Sequence, residues 1–175
     1  MAKSNAEIMK GQQCPICSKK TLTLAQEEMD IPFFGKTFVF SMNCSSCGYK
    51  ESDVESSEKK EPSKYTLEIT SDKDMNIRII RSSTGTIKIP HVATIEPKTN
   101  AEGYITNIEG VLERIKTQVE HIRDNSEDDE EKTKAKNLVK KITRIIWGQE
   151  KAKIILEDTA GNSAIISDKA VKEKL

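Results

Sequence analysis

Apolar and polar positions alternate with a period of two over several short stretches, and only from about residue 106 to 148 does the spacing become helical. Thr21 to Ala25 alternates in polarity, and Thr37 to Met42 is β-branched and aromatic. Pro32 and Gly35 punctuate a turn around Phe33 and Phe34, so this region predicts strand, break, strand. ESDVESSEKKEPSK (51–64) is polar and charged, carries Pro62, and reads as an exposed boundary. It divides the chain into a ribbon over 1–55 and a β-rich domain over 64–175. In the second part YTLEIT (65–70), MNIRIIRS (75–82) and GTIKIP (85–90) predict strands with one face buried.

Ile108, Val111, Leu112, Ile115, Val119 and Ile122 recur at helical spacing behind Thr106-Asn107-Ile108-Glu109, which fits a capping box. Ser126 precedes EDDEE, acid suited to a second helix N-terminus, and that helix carries a stripe from Leu138 to Ile146 ending near Gly148. The short connector predicts an antiparallel helical hairpin over about 107–147. KIILEDTAGNSAIIS (153–167) reads as a β-hairpin whose turn is Asp158 to Ser163. The sum is a mainly β chain with α, an α+β class.

Chemistry enters with four cysteines. They fall as Cys14-Pro15-Ile16-Cys17 and Cys44-Ser45-Ser46-Cys47, with 26 residues between Cys17 and Cys44. Two residues between the members of a pair let both sulfurs face one point, and two such knuckles offer four thiolates in a tetrahedron at about 2.3 Å from zinc. Three chemistries compete: a closed structural zinc site, a redox dithiol and a catalytic zinc. Catalytic zinc keeps a coordination position for water, which four thiolates occupy. A redox pair sits at a helix start, whereas both pairs here adjoin strand-like sequence. The spacing therefore favours one structural zinc on Cys14, Cys17, Cys44 and Cys47. Gly48 would take a positive φ that turns amides toward a sulfur, and Tyr49 would cover the site. A unit of about 45 residues buries too little to fold unaided, and structural zinc contributes on the order of 10–16 kcal/mol. His91 and His121 are not needed as ligands.

Composition narrows the field. Hydrophobic residues make up 35% and charged residues 32%, and 28 basic residues balance 28 acidic ones, which removes the field used by nonspecific nucleic-acid or anionic-membrane binders. Residues 1–50 hold six lysines, no arginine and four acids, a net of +2, which is thin for a nucleic-acid-binding zinc ribbon, the alternative reading. No Gly-rich phosphate loop, nucleophile elbow or His/carboxylate triad is present, so an enzyme is not expected. MAKSNAEIMKG has no apolar h-region, and no run approaches the roughly 18 apolar residues of a membrane span; a cytoplasmic protein is expected. In a reducing compartment, tight cysteine pairs hold metal.

CPIC, IPFFG and CSSCGY together closely resemble the finger of the ZPR-type zinc-finger proteins. YTLEIT, RSSTGTIKIP, GYITNIEGVLERI and EDTAGNSAII resemble successive motifs of that family's following module, so the likeness covers nearly the whole chain. It implies a zinc ribbon followed by a double-stranded β-helix, or jelly-roll-like, domain with an inserted helical hairpin. It also implies a non-enzymatic binder carrying Zn(2+) on Cys14, Cys17, Cys44 and Cys47. Eukaryotic members associate with translation elongation factor one-alpha, assisting its folding, and with receptor tyrosine kinases. They carry two finger-plus-β modules where this chain has one, which points to a prokaryotic, archaeal source. His91 stands where that family would have a more acidic loop.

A protein-interaction role, with an elongation GTPase as partner, is thus expected. Ile31, Phe33 and Phe34 of the IPFFG turn would form an apolar contact patch, and Asp158 and Asn162 of the later loop are further candidates for partner binding.

Overall fold

The structure, a computed structural model, describes residues 5–32, 34–58, 60–98 and 101–175. Four antiparallel strands come first, β1 (Asn5–Gln12), β2 (Leu22–Ile31), β3 (Gly35–Cys44) and β4 (Lys50–Ser56), paired in sequence order. Alternation in β2 and β3 places Leu24 opposite Met42 and Gln26 opposite Phe40. β4 corrects the reading of residues 51–64 as an exposed boundary: residues 51–56 are a strand, and Val54 is fully buried. Its polar residues are exposed-looking in sequence, yet they hydrogen-bond to the rest of the protein.

A jelly-roll domain follows. One sheet has the order β12 (Val171–Lys174), β5 (Ser63–Ile69), β10 (Ala152–Asp158), β7 (Gly85–Ile89), β8 (Ala93–Ile95); the other has β11 (Ala164–Ile166), β6 (Arg78–Arg81), β9 (Tyr104–Asn107). Met75 and Asn76, expected in a strand, lie instead in a 3-10 turn over Asp72–Asn76. The hairpin expected over 153–167 is also corrected. β10 pairs with β5 and β7, while β11 pairs with β6 in the other sheet, so Thr159 to Ser163 crosses between sheets. The turn-forming residues hold that crossing because the Asp158 carboxylate accepts from the hydroxyls of Ser82, Thr84 and Ser163 at 2.8, 2.7 and 2.6 Å and from the Ala160 amide at 2.8 Å.

Between β9 and β10 lie α1 (Ile108–Asn125) and α2 (Asp129–Ile146). The first is capped by Asn107, whose side chain accepts from the Gly110 amide, rather than by Thr106. The second is capped by Asp128, whose side chain accepts from the Glu130 amide, and opens on the acidic run expected at its N-terminus. Their inner stripes, including Val111, Leu112, Ile142 and Ile145, join Leu67, Ile79, Ile87, Ile154 and Ile165 of both sheets in one buried core.

The finger sheet is seated on the jelly roll. Ile31, Phe34 and Val54 share a smaller buried cluster with Ile80 and Ala164. Around it Ser52 exchanges two hydrogen bonds with Gly103, and the Asp53 carboxylate accepts from the Ser83 amide and hydroxyl. Gly103 is required by this approach: a Cβ there would lie 2.7 Å from the Val54 nitrogen.

Candidate metal centre

The two cysteine pairs occupy the turns that close β1 onto β2 and β3 onto β4, and register brings them together, because Leu22 pairs with Cys44 at the ends of β2 and β3. In each turn the chain doubles back on itself. Ser18 donates its amide to the Cys14 carbonyl at 2.9 Å, and Gly48 donates to the Cys44 carbonyl at 3.0 Å. Gly48 has φ +73°, the left-handed conformation expected of it. The Cys44 amide donates to the Tyr49 carbonyl at 2.8 Å, which fixes the second turn against the start of β4.

All four sulfurs lie within 4.8 Å of one another. Cys14 and Cys47 are separated by 3.7 Å, and so are Cys17 and Cys44. A tetrahedron with metal–sulfur bonds of about 2.3 Å has edges of about 3.8 Å. The cluster therefore has the size of a tetrathiolate zinc site and suits one zinc ion. Cys14 and Cys44 are buried, Cys17 is half-buried and Cys47 is exposed.

Local electrostatics divide the sulfurs. The Thr21 hydroxyl bonds the Cys44 sulfur at 3.2 Å, and this contact, with the Cys47 and Ser46 amides, brings the Cys44 thiol down to about 6. Cys47 is pushed up to about 12: the Tyr49 amide opposes the change, but the neighbouring atoms that displace water from this side of the exposed sulfur and the Cys44, Cys17 and Cys14 sulfurs prevail. Four thiolates at these distances repel one another, and a divalent cation removes that obstacle to their common deprotonation.

Leu22 is buried against Cys14 and Cys44, with Leu24, Met42 and Tyr49 packed around them. Tyr49 is half-buried there and bonds the Glu51 carboxylate. Thr21 was not singled out by sequence reasoning. Its signal was available, since the residue before the buried end of β2 stands across the sheet from the second pair.

The residues expected to bind a partner lie elsewhere. Ile31 ends β2, about 30 Å of strand away from the knuckles, and is 1% exposed; Phe34 is 8% exposed. The expectation of an exposed IPFFG patch is corrected, because these two side chains fill the seam between finger and jelly roll. The Lys60 ammonium lies 3.1 Å from the Phe34 ring centroid and donates to the Phe34 carbonyl at 2.7 Å. Phe33 lies outside the described residues. Asp158 is buried in its hydroxyl network inside the jelly roll, and the half-buried Asn162 accepts through its side-chain oxygen from the Ser56 amide at 3.2 Å across the seam. His91 and His121 are exposed and stand outside the cysteine cluster. No helix among the described residues is long and apolar enough to cross a membrane.

Comparison with known proteins agrees with this geometry. Residues 7–62 match the ZPR1 zinc-finger domain and residues 73–174 the ZPR1 jelly-roll domain. The chain is 39% identical over 171 residues to an uncharacterised ZPR1-like protein of Methanocaldococcus jannaschii, covering 97% of this chain and 86% of that one. It is 38% identical to a ZPR1-like protein of Pyrococcus horikoshii, covering 97% and 78%. Against zinc finger protein ZPR1 of Mus musculus it is 30% identical, covering 91% of this chain but 36% of the mouse protein. A Schizosaccharomyces pombe relative, 31% identical over 58% of this chain and 22% of its own length, is named a zinc finger chaperone. With both of its domains matched in order and two archaeal relatives matched along most of their length, the chain belongs to the ZPR1 zinc-finger family.

Proposed function

We propose that this protein is a non-enzymatic, zinc-dependent binding and folding factor whose client is a translation elongation GTPase of the one-alpha type. Cys14, Cys17, Cys44 and Cys47 hold one structural ion in a ribbon over 1–55, and the β-rich domain over 64–175 carries the finger. The observation that carries the reading is the closed tetrathiolate geometry, with 3.7 Å sulfur pairs at the tip of a sheet seated on a jelly roll. Such a site holds a scaffold and leaves no coordination position for a substrate. The name of the fission-yeast relative supports a chaperone role, and the family resemblance supplies the GTPase. Both partners meet in the cytoplasm in this reading.

The test is retention and refolding. The zinc-loaded chain, immobilised, should retain an archaeal elongation GTPase of the one-alpha type from extract and raise the yield of that GTPase refolded from denaturant. Cys44→Ser should abolish both effects. A wild-type chain that retains no such GTPase and leaves its refolding unchanged overturns the proposal.

A further inference from the structure

The face of the finger sheet that bears Cys44 at one end continues past the metal cluster, against which Leu24 and Met42 pack, as a half-buried to exposed surface. Strand register aligns Met9, Leu24, Met42 and Glu51 in one cross-strand row, Glu7, Gln26, Phe40 and Asp53 in the next, and Glu28, Phe38 and Glu55 in a third. Met9, Leu24, Met42, Phe40 and Phe38 thus form a continuous apolar stripe. Met9 is 54% exposed, and the other four are only half-buried. A groove of about 340 Å³ runs along the stripe between Glu7, Met9, Leu24, Phe40 and Met42. The buried cluster shared with the jelly roll draws Ile31 and Val54 from the opposite side of the sheet.

Charge on this face is one-sided. Among the described residues, the period of two puts Glu7, Glu28, Asp30, Glu51 and Glu55 beside the stripe with Lys36 as the one basic residue among them, paired with Glu28 at 2.9 Å, while the Asp53 carboxylate is turned to Ser83 in the seam. The chain as a whole is neutral, so the acidic rim is a local arrangement. Methionine and phenylalanine in a groove adapt to varied apolar side chains, and a carboxylate rim selects positive partners while excluding polyanions.

We infer that this face is a docking surface for a segment of a partner protein that carries apolar side chains flanked by lysine or arginine. The inference rests on the protein-binding reading above and names the chemistry of what is bound. The rim also argues against the nucleic-acid alternative, since phosphates would approach carboxylates.

The probes are three synthetic peptides, alternating leucine with lysine, leucine with glutamate, and serine with lysine. Each is titrated into the zinc-loaded full chain and followed by fluorescence anisotropy and amide chemical shifts. The leucine–lysine peptide should bind at least about tenfold more tightly than either other and shift amides in residues 7–9, 24–26 and 38–42. Phe40→Ser should weaken it by about tenfold or more. Glu7→Lys with Glu55→Lys, both at exposed positions, should do the same without unfolding the sheet. Equal binding of the serine–lysine peptide, shifts confined to the jelly roll or helices, indifference to the charge reversal, or a chain that instead dimerises through this face overturns the inference. The two proposals fail separately. Retention of the GTPase by Phe40→Ser at wild-type level removes the surface and keeps the function. Peptide binding here with no GTPase retained removes the client and keeps the surface.

Discussion

Asp53, on the last strand of the finger sheet, grips Ser83, in the turn between β6 and β7, through both its amide and its hydroxyl. The neighbouring Ser82 hydroxyl bonds Asp158, so a chain of polar contacts runs from the finger into the crossing loop of the jelly roll. Removing Asp53 leaves the half-buried Ser83 amide unpartnered. Asp53→Ala should therefore cost about 1–3 kcal/mol in urea unfolding, with faster amide exchange at residues 82–85 and unchanged zinc content.

Metal should decide the finger and spare the jelly roll. One zinc per chain is expected by elemental analysis, and Cys44→Ser or a strong chelator should remove it. Amide exchange across residues 5–50 should then rise to the unfolded rate, while α1, α2 and the core around Ile154 stay protected, because that core contains no cysteine. Global loss of protection on chelation would contradict this.

Acid should destabilise the jelly roll through two buried aspartates. The Lys169 ammonium at 2.6 Å, then the Thr70 amide and hydroxyl, hold the Asp74 carboxyl well below the usual range. For Asp158 burial acts upward, but the Ser163, Thr84 and Ser82 hydroxyls and the Ala160 amide outweigh it and lower the carboxyl. Both folded values lie below the unfolded value of about 3.9, so the stabilisation is complete above about pH 5 and is lost as pH falls below that. Urea midpoints should fall between about pH 5 and about pH 3. Asp74→Asn should lose about 2 kcal/mol at neutral pH and show a shallower decline than wild type over that interval.

Phe34→Ala should act on folding. With the ring filling the seam under Lys60, the truncation should cost about 3 kcal/mol or more, read as a lower thermal midpoint. Any loss of client binding by this variant should track the unfolded fraction.

What could be read from the sequence was whatever rests on local spacing. The CxxC pairs, the alternation of β2 and β3 and the two 3.6-residue stripes, Ile108 to Ile122 and Leu138 to Ile146, each carry their signal within a few residues. What failed depends on distant partners. β4 looks like a linker because Ser52, Asp53 and Ser56 are polar, and only Gly103, Ser83 and Asn162 explain why they are held. The Asp158–Ser163 stretch has the composition of a hairpin turn, yet its strands belong to different sheets. Ile31 and Phe34 look like an exposed turn because the surface that covers them, Ile80 and Ala164, arrives much later in the chain.

β3 serves two sides at once. Phe38, Phe40, Met42 and the metal-facing Cys44 share one parity, and Thr37, fully buried, has the other, along with Val39 opposite the buried Val54. Inserting or deleting a single residue anywhere in the strand would turn part of it over, exchanging greasy and hidden positions and swinging a sulfur away from its three companions. The length of this ten-residue segment acts as a ruler: side chains along it can be exchanged one at a time, but the count cannot change.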